Sequence, residues 1–126
     1  MIAVDTSALM AIALGEPEGR RCITALAEEP DLVISAGTLA ETLIVAARRN
    51  VTPQVRQLLD DLGMTIAPVS EAVAERVAQA YQSWGKGFHP AGLNWGDCFA
   101  YVTASDCGGR LLFVGDDFAR TDLISR

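Results

Sequence analysis

Short apolar runs alternate with amphipathic segments along this chain, and this pattern constrains its fold more than any other feature. Candidate strands lie at residues 2–4, 32–34, 65–67 and 111–114. Strands that are apolar on both faces are typical of parallel sheets covered by helices on each side. The sequence therefore predicts an α/β protein, a three-layer α/β/α sandwich with a central parallel sheet of four or five strands.

Helical periodicity and capping residues delimit the segments between these strands. The predicted helices cover about residues 7–14, 18–28, 38–49 and 53–62, a segment capped by Ser70, and a segment from Asn94 to about 107. The chain has 126 residues and shows no internal repeat, low-complexity tract or linker. We therefore expect residues 1–126 to form a single domain.

Few residues are available for covalent or soft-metal chemistry. Cys22, Cys98 and Cys107 are widely spaced and include no C-x-x-C motif, which excludes a disulfide framework and disfavours zinc. His89 is the only histidine, so neither a histidine metal site nor a Ser-His-Asp triad is supported. The sequence also lacks the glycine-rich patterns of nucleotide-binding loops.

The overall charge is acidic, with sixteen Asp and Glu residues against ten Lys and Arg and a formal net charge of −6. Such a surface argues against loose, salt-driven binding of nucleic acid, unless a metal ion neutralises acids at the binding site. No apolar run approaches the roughly 18 residues of a membrane span. The N-terminus has no basic segment of the kind that begins a signal peptide, so we expect a cytoplasmic protein.

Four acidic residues are predicted to meet at the carboxyl edge of the sheet. Asp5 directly follows the first strand, and Asp116 follows the fourth after one glycine. Glu41 and Asp97 lie in the first turns of two predicted helices that start at the same edge. Open α/β folds bind their ligands at this edge.

A purely structural interpretation also exists for these acids. Asp5 could cap the helix that follows it, and Asp97 suits the first turn of a helix through the helix dipole. Asp116 or Asp117 could begin a terminal helix. Either interpretation remains open for each residue taken alone.

The neighbours of the acids favour a metal site. Glu41 could form a capping box with Thr38, but it is the only charged residue in the segment 34–47, and Asp97 is flanked by apolar and aromatic residues. Burying an unpaired carboxylate costs roughly several kcal/mol unless a cation neutralises the charge. Oxygen ligands suit Mg²⁺ or Mn²⁺. A site of this kind is typical of phosphodiester chemistry.

Several polar and basic residues are candidates for supporting roles. Thr6 and Ser7 can hydrogen-bond a carboxylate or a phosphate, although a hydroxyl there is also an ordinary helix cap. Asn94 is predicted to cap the last long helix. Arg48 and Arg120 are candidate phosphate contacts, because guanidinium groups suit phosphate oxygens; solvated helix surface is the alternative for Arg48.

Four segments, in order and over essentially the whole chain, resemble the PIN domain, and most closely the VapC-type ribonuclease toxins of bacterial toxin–antitoxin pairs. The segments are MIAVDTSAL, TLAETLIVAARR, LNWGDCFAYVTA and LLFVGDDFARTDL. The resemblance implies a metal-dependent endoribonuclease whose acidic cluster binds Mg²⁺ or Mn²⁺. It implies that Asp5 and Asp97 are the principal ligands, that Glu41 completes the site, and that Asp116 is the fourth acid, with Asp117 as the alternate.

The same resemblance implies three partners. The substrate is expected to be a structured RNA, such as tRNA or ribosomal RNA. A cognate VapB-type antitoxin is expected to cover the acidic groove with its C-terminal segment. A second copy of the chain is expected to complete a homodimer.

Two other functions are compatible with an acidic pocket on an α/β domain. A phospho-accepting receiver domain requires a lysine after its fifth strand and a pair of acids on its first loop. Lys86 lies elsewhere and Asp5 has no acidic neighbour, so the sequence disfavours a receiver. A catalytically silent PIN scaffold that only binds protein partners is disfavoured because all four acidic positions are filled.

Overall fold

The computed structural model of the protein describes residues 1–125; Arg126, the last residue of the predicted domain, lies outside the described residues. Five parallel strands form one sheet in the order β3-β2-β1-β4-β5. They are β1 (Ile2–Val4), β2 (Leu32–Ser35), β3 (Thr65–Ala67), β4 (Arg110–Leu112) and β5 (Ile124–Ser125). The predicted parallel sheet is confirmed.

Helices connect the strands and cover both faces of the sheet. They are α1 (Thr6–Ala13), α2 (Gly19–Glu28), α3 (Ala36–Arg48), α4 (Thr52–Leu62), α5 (Glu71–Trp84) and α6 (Trp95–Ser105), followed by a short 3₁₀ helix at Phe118–Arg120. Gly63 ends α4 in the left-handed conformation, with φ +56°, as glycine commonly does. Within residues 1–125, no helix has both the length and the apolar composition that crossing a lipid bilayer requires.

The side chains of β1 alternate between two hydrophobic cores, because successive residues of a strand point to opposite faces. Ile2 and Val4 pack with residues of α1, α2 and α4 on one face. Ala3 packs with residues of α5 and α6 on the other face. Burial on both faces explains why the strand is apolar throughout, and it confirms the predicted three-layer sandwich.

Helix α3 begins earlier than predicted, and this moves one of the candidate site residues. Ser35 ends β2 and also caps α3, because its hydroxyl accepts a hydrogen bond from the backbone N–H of Gly37 at 3.1 Å. Thr38 is therefore a buried residue inside the helix, and the predicted capping box with Glu41 does not form. Glu41 lies in the second turn of the helix rather than in its first turn.

The C-terminal part of the chain differs from the prediction in its boundaries. Strand β4 ends at Leu112 instead of Val114, and α6 ends at Ser105 rather than near residue 107. Strand β5 and the 3₁₀ helix contain two and three residues, respectively. Elements this short have too few residues to show a periodic pattern.

Candidate active site

Asp5 is the most buried of the candidate acids and stands between β1 and α1. Its Oδ2 atom accepts hydrogen bonds from the backbone N–H and the hydroxyl of Ser7, at 3.1 and 2.6 Å, so Asp5 caps α1 as one interpretation predicted. Its Oδ1 atom is buried and has no hydrogen-bond partner among the described residues. Because a buried unpaired carboxylate oxygen is costly, Oδ1 is a strong candidate for binding a cation.

The environment of Asp5 disfavours its charged form. Burial raises the pKa of Asp5 above its usual value, and the nearby charge of Glu41 raises this pKa further, while the hydrogen bonds from Ser7 lower it. The structure therefore brings Asp5 and Glu41 close enough for their charges to interact, although their positions are far apart in sequence.

Asp97 enters the same region from the first turn of α6. Asn94 and Asp97 form a reciprocal capping box: the Asp97 N–H donates to Asn94 Oδ1 at 2.8 Å, and the Asn94 N–H donates to Asp97 Oδ2 at 3.0 Å. Burial raises the pKa of Asp97 to about 7, and the charges of Asp5, Glu41 and Asp117 contribute to the increase. Charges from three other parts of the chain thus act on Asp97: those of Asp5 and Glu41, as the sequence predicts, and that of Asp117, the alternate to the predicted Asp116.

Glu41 is held between α1 and α6. The hydroxyl of Thr6 donates to Glu41 Oε1 at 2.7 Å. On the other side, Gly96 lies directly against Oε2, and a Cβ atom at Gly96 would overlap the carboxylate. The glycine therefore allows the start of α6 to approach α3 with the glutamate between them.

The fourth acid in electrostatic range of Asp97 is Asp117, the predicted alternate, whereas Asp116 is not among the groups that raise the pKa of Asp97. Both residues are exposed. Phe118 is buried against Phe113, with ring centroids 5.2 Å apart, and this contact anchors the segment that carries Asp117.

Ser7 connects the segments that follow β1 and β4, which carry Asp5 and Asp117. Its hydroxyl donates to Asp5 and accepts a hydrogen bond from the backbone N–H of Val114 at 2.9 Å. The segment after β4, which leads to Asp117, is thereby tied to the residue that orients Asp5.

The donor set fits a hard divalent cation, although the side chains are not arranged as a finished binding site. No group of three or more His, Cys, Asp or Glu side chains within residues 1–125 is close enough to hold a metal ion. The carboxylates instead lie within electrostatic range of one another, with Asp5 Oδ1 unpaired. Carboxylate oxygens with water in the remaining positions are the usual environment of Mg²⁺.

The two candidate arginines lie at different places. Arg120 is in the 3₁₀ helix shortly after Asp117, and its guanidinium donates to the Pro90 carbonyl at 3.2 Å. Arg48 is exposed at the last residue of α3, two turns beyond Glu41 and therefore about 10 Å further along the helix. The structure does not bring Arg48 to the acidic edge.

Two residues of this region were not predicted from the sequence. Gly96 stands in the first turn of a helix beside Asp97, and a glycine at such a position is a signal that could have been recognised. Thr42 is fully buried beside Thr6 and Glu41, and nothing in the sequence distinguishes it from an ordinary core threonine.

The strand order tests the receiver alternative. Receiver-like folds arrange five parallel strands in the order 2-1-3-4-5. The order in this chain is β3-β2-β1-β4-β5, so the receiver interpretation is wrong.

Comparison with known proteins agrees with the fold. Residues 2–123 match the family described as PIN domain. Among curated relatives, VapC ribonuclease Mb2780c of Mycobacterium bovis is 40% identical over 124 residues, which cover 95% of each chain. Ribonuclease VapC of Mycolicibacterium smegmatis is 38% identical over 125 residues, which cover 97% of each chain.

Solved structures with low sequence identity share the same architecture. Mycobacterium tuberculosis VapC20 is 16% identical, has a TM-score of 0.79, and the match covers 98% of this chain and 97% of that one. A toxin–antitoxin complex from Klebsiella pneumoniae is 23% identical, has a TM-score of 0.72, and the match covers 97% and 93% of the two chains. The family match spans nearly the whole chain and the full-length relatives are about 40% identical, and the protein therefore belongs to the PIN-domain family.

Proposed function

We propose that this protein is a metal-dependent endoribonuclease and the toxin of a type II toxin–antitoxin pair, with residues 1–126 forming one catalytic domain. The observation that carries the proposal is that Asp5, Glu41 and Asp97, from three separate elements, lie within electrostatic range of one another, and that the buried Oδ1 atom of Asp5 has no hydrogen-bond partner among the described residues. The curated relatives named VapC ribonucleases support the same activity.

In this proposal Asp5 and Asp97 hold Mg²⁺ or Mn²⁺, and Asp117 or Asp116 completes the acidic edge. When bound, the ion polarises the phosphodiester and lowers the pKa of a bound water. The hydroxyl of Ser7 and the backbone N–H of Asn94 hold the Asp5 and Asp97 carboxylates in place.

Glu41 is assigned the protein's proton-accepting role. Its Oε1 atom is engaged by Thr6, and its Oε2 atom lies against the first turn of α6, which also carries Asp97. In this position Oε2 can accept a proton from a water that attacks phosphorus on the Asp97 side. The phosphorus–oxygen bond to the leaving ribose breaks in the same step, and the released oxygen takes a proton from solvent. General bases act over hydrogen-bond distances of about 3 Å, so the orientation of this carboxylate matters for the rate.

The names of the relatives and structural neighbours support a ribonuclease substrate and an antitoxin partner. The proposed substrate is a structured RNA such as tRNA or ribosomal RNA, in agreement with a cytoplasmic location, and Arg120 is the candidate contact for its backbone. A VapB-type antitoxin would inhibit the enzyme by covering the acidic edge, and the active protein would be a homodimer. One structural neighbour is a VapBC2 complex from Rickettsia felis bound to a DNA fragment from its promoter.

Metal-dependent cleavage of RNA by the purified protein tests this proposal. We expect cleavage of tRNA or ribosomal RNA with Mg²⁺ or Mn²⁺, and complete loss of cleavage with EDTA. Asp5→Asn should retain the fold and lose cleavage by about a hundredfold or more, because the ligand oxygen becomes an uncharged amide. Asp60→Asn, which changes an exposed acid on α4, is the matched control and should leave the rate unchanged.

Cleavage that persists in EDTA would contradict the metal mechanism. A wild-type protein that cleaves no RNA with either ion, yet still binds a protein partner, would favour the catalytically silent scaffold instead. The toxin role is tested separately by expression in a bacterial host: induction of the wild-type chain should arrest growth, and induction of Asp5→Asn should not.

A further inference from the structure

The hydroxyl of Thr6 is the centre of a buried hydrogen-bond network beside the acidic site. It lies 2.7 Å from Glu41 Oε1, 2.9 Å from Thr42 Oγ1 and 3.4 Å from the Thr38 carbonyl oxygen. Thr42 and Thr38 are fully buried, and Thr6 is 7% exposed. A threonine hydroxyl has one proton to donate, so only one of these three oxygen atoms can receive it at a time.

When Glu41 is ionised, the number of available protons limits which hydroxyl donates to which oxygen. A carboxylate oxygen 2.7 Å from a hydroxyl requires that proton, because two oxygen atoms at this distance repel each other without it. The Thr6 proton therefore points to Glu41. The 2.9 Å contact between Thr6 and Thr42 is then a hydrogen bond only if it uses the Thr42 proton, so that Thr42 donates to Thr6 and Thr6 donates to Glu41. This arrangement leaves the 2.8 Å contact between the Thr42 hydroxyl and the Thr38 carbonyl without a proton.

In the competing arrangement, Thr42 donates its proton to the backbone of α3 instead of to Thr6. Thr42 Oγ1 also lies 2.8 Å from the Thr38 carbonyl, the usual bond from a threonine to the residue four positions earlier. If Thr42 donated there, its 2.9 Å contact with Thr6 would either have no proton or would take the Thr6 proton away from Glu41 Oε1. A hydroxyl that accepts a hydrogen bond becomes a stronger donor, so donation from Thr42 to Thr6 strengthens the bond from Thr6 to the charged Glu41 carboxylate and favours the first arrangement.

We propose that Thr42 is a positioning residue that acts through the hydroxyl of Thr6 to hold the Glu41 carboxylate against the first turn of α6. Glu41 is then fixed on two sides, by Thr6 at Oε1 and by Gly96 at Oε2. The role of Thr42 in catalysis rests on the proposed nuclease function, whereas the coupling of Thr42 to Glu41 does not. Without the Thr42 hydroxyl, Thr6 loses the donor that orients it, and the carboxylate can turn away from α6.

A double-mutant cycle between Thr42→Val and Glu41→Gln tests the coupling without metal or RNA. Valine preserves the shape of threonine and removes the hydroxyl. In EDTA at pH 8, Thr42→Val should lower the equilibrium constant of folding in both backgrounds. The decrease should be smaller in the Glu41→Gln protein than in the wild type, by a factor of about three or more. Strict additivity of the two substitutions would overturn the proposal.

Two controls separate relay through Thr6 from simple proximity along the helix. In a Thr6→Val background the coupling between positions 42 and 41 should disappear, and a coupling that persists would overturn the relay. Thr103→Val removes another buried threonine hydroxyl, which donates to the Phe99 carbonyl at 3.0 Å on α6. This substitution should be additive with Glu41→Gln.

Binding of Mn²⁺, followed by calorimetry, measures the consequence for the site. Substitutions that remove the partner of a metal-site side chain commonly weaken metal affinity or activity by about 10- to 100-fold. Thr42→Val should therefore weaken Mn²⁺ affinity, RNA cleavage or both by about tenfold. Thr42→Ser restores the hydroxyl and should restore both. For RNA cleavage, kcat should fall with KM nearly unchanged. If the wild type cleaves no RNA the nuclease proposal fails, and the double-mutant cycle still decides the coupling.

Discussion

Gly96 lies directly against the carboxylate of Glu41, at the point where the first turn of α6 meets the second turn of α3. Alanine is favoured over glycine inside helices by roughly 1 kcal/mol, so helix stability alone would favour a side chain at this position. The glycine is explained by the space that the glutamate needs beside Asp97.

We predict that Gly96→Ala separates stability from activity. The added methyl group must displace Glu41 Oε2, which is the far end of a flexible side chain, so the fold can adjust while the carboxylate moves. Cleavage should fall by about tenfold or more, and the melting temperature should change by less than about 3 °C. The measurements are RNA cleavage and thermal unfolding of the same preparation.

Glu41→Asp provides the control for this prediction. In the wild-type background, the shorter side chain cannot span the space between Thr6 and Gly96 and should reduce cleavage. In the Gly96→Ala background it leaves room for the methyl group, so its additional effect should be smaller than in the wild type. A Gly96→Ala protein with full activity would show that the position of Glu41 does not limit the reaction.

Asp117 should contribute more to the site than Asp116. Its charge is among the causes that raise the pKa of Asp97, and that of Asp116 is not. We expect Asp117→Asn to reduce Mn²⁺ affinity and RNA cleavage by about tenfold, and Asp116→Asn to reduce them less. Titrating both variants with Mn²⁺ under identical conditions measures the difference. The opposite ranking would restore Asp116 as the fourth acid.

A divalent ion should stabilise the folded protein at pH 8. A ligand that binds only the folded state at a hundred times its Kd adds about 2.7 kcal/mol to the free energy of unfolding. Mn²⁺ should therefore raise the melting temperature of the wild type by several degrees, and EDTA should reverse the increase. Asp5→Asn should abolish the shift, whereas Asp60→Asn should retain it. An equal shift in all three proteins would place the ion elsewhere.

The parts of the fold that could be predicted are those in which one residue pattern has one physical solution. Ile2, Ala3 and Val4 are apolar in succession because both faces of β1 are covered, and this alone indicates a parallel sheet between two helical layers. Since parallel strands place their carboxyl ends at one edge, the grouping of Asp5 with Asp97 followed from topology.

The parts that could not be predicted depend on three-dimensional contacts. The S/T-x-x-E pattern at Thr38 and Glu41 predicted a helix that starts at Thr38. Ser35 instead ends the strand and caps the helix, so the predicted boundary was wrong. The choice between Asp116 and Asp117 depends on how Phe118 packs against Phe113, which no spacing in the sequence reveals.

In the absence of divalent ions, the stability of the protein should fall as the pH rises from about 4 to about 7. Folding raises the pKa of Asp97 from 3.8 to about 7, so in this range the folded protein keeps a proton that the unfolded chain has released. This stabilisation is fully present below the lower pKa and is lost as the pH passes through the higher one. The raised pKa of Asp5 acts in the same direction.

Asp97→Asn should remove part of this dependence while retaining the helix cap, because the asparagine side-chain oxygen can still accept the hydrogen bond from the Asn94 N–H. In EDTA at pH 8 the variant should melt about 3 °C or more above the wild type, and the difference should shrink toward pH 4. Thermal unfolding of both proteins from pH 4 to pH 8, with Asp60→Asn as the control, measures this effect. Parallel curves for wild type and Asp97→Asn would show that Asp97 titrates normally, and that the acids are too far apart or too well solvated to act on one another.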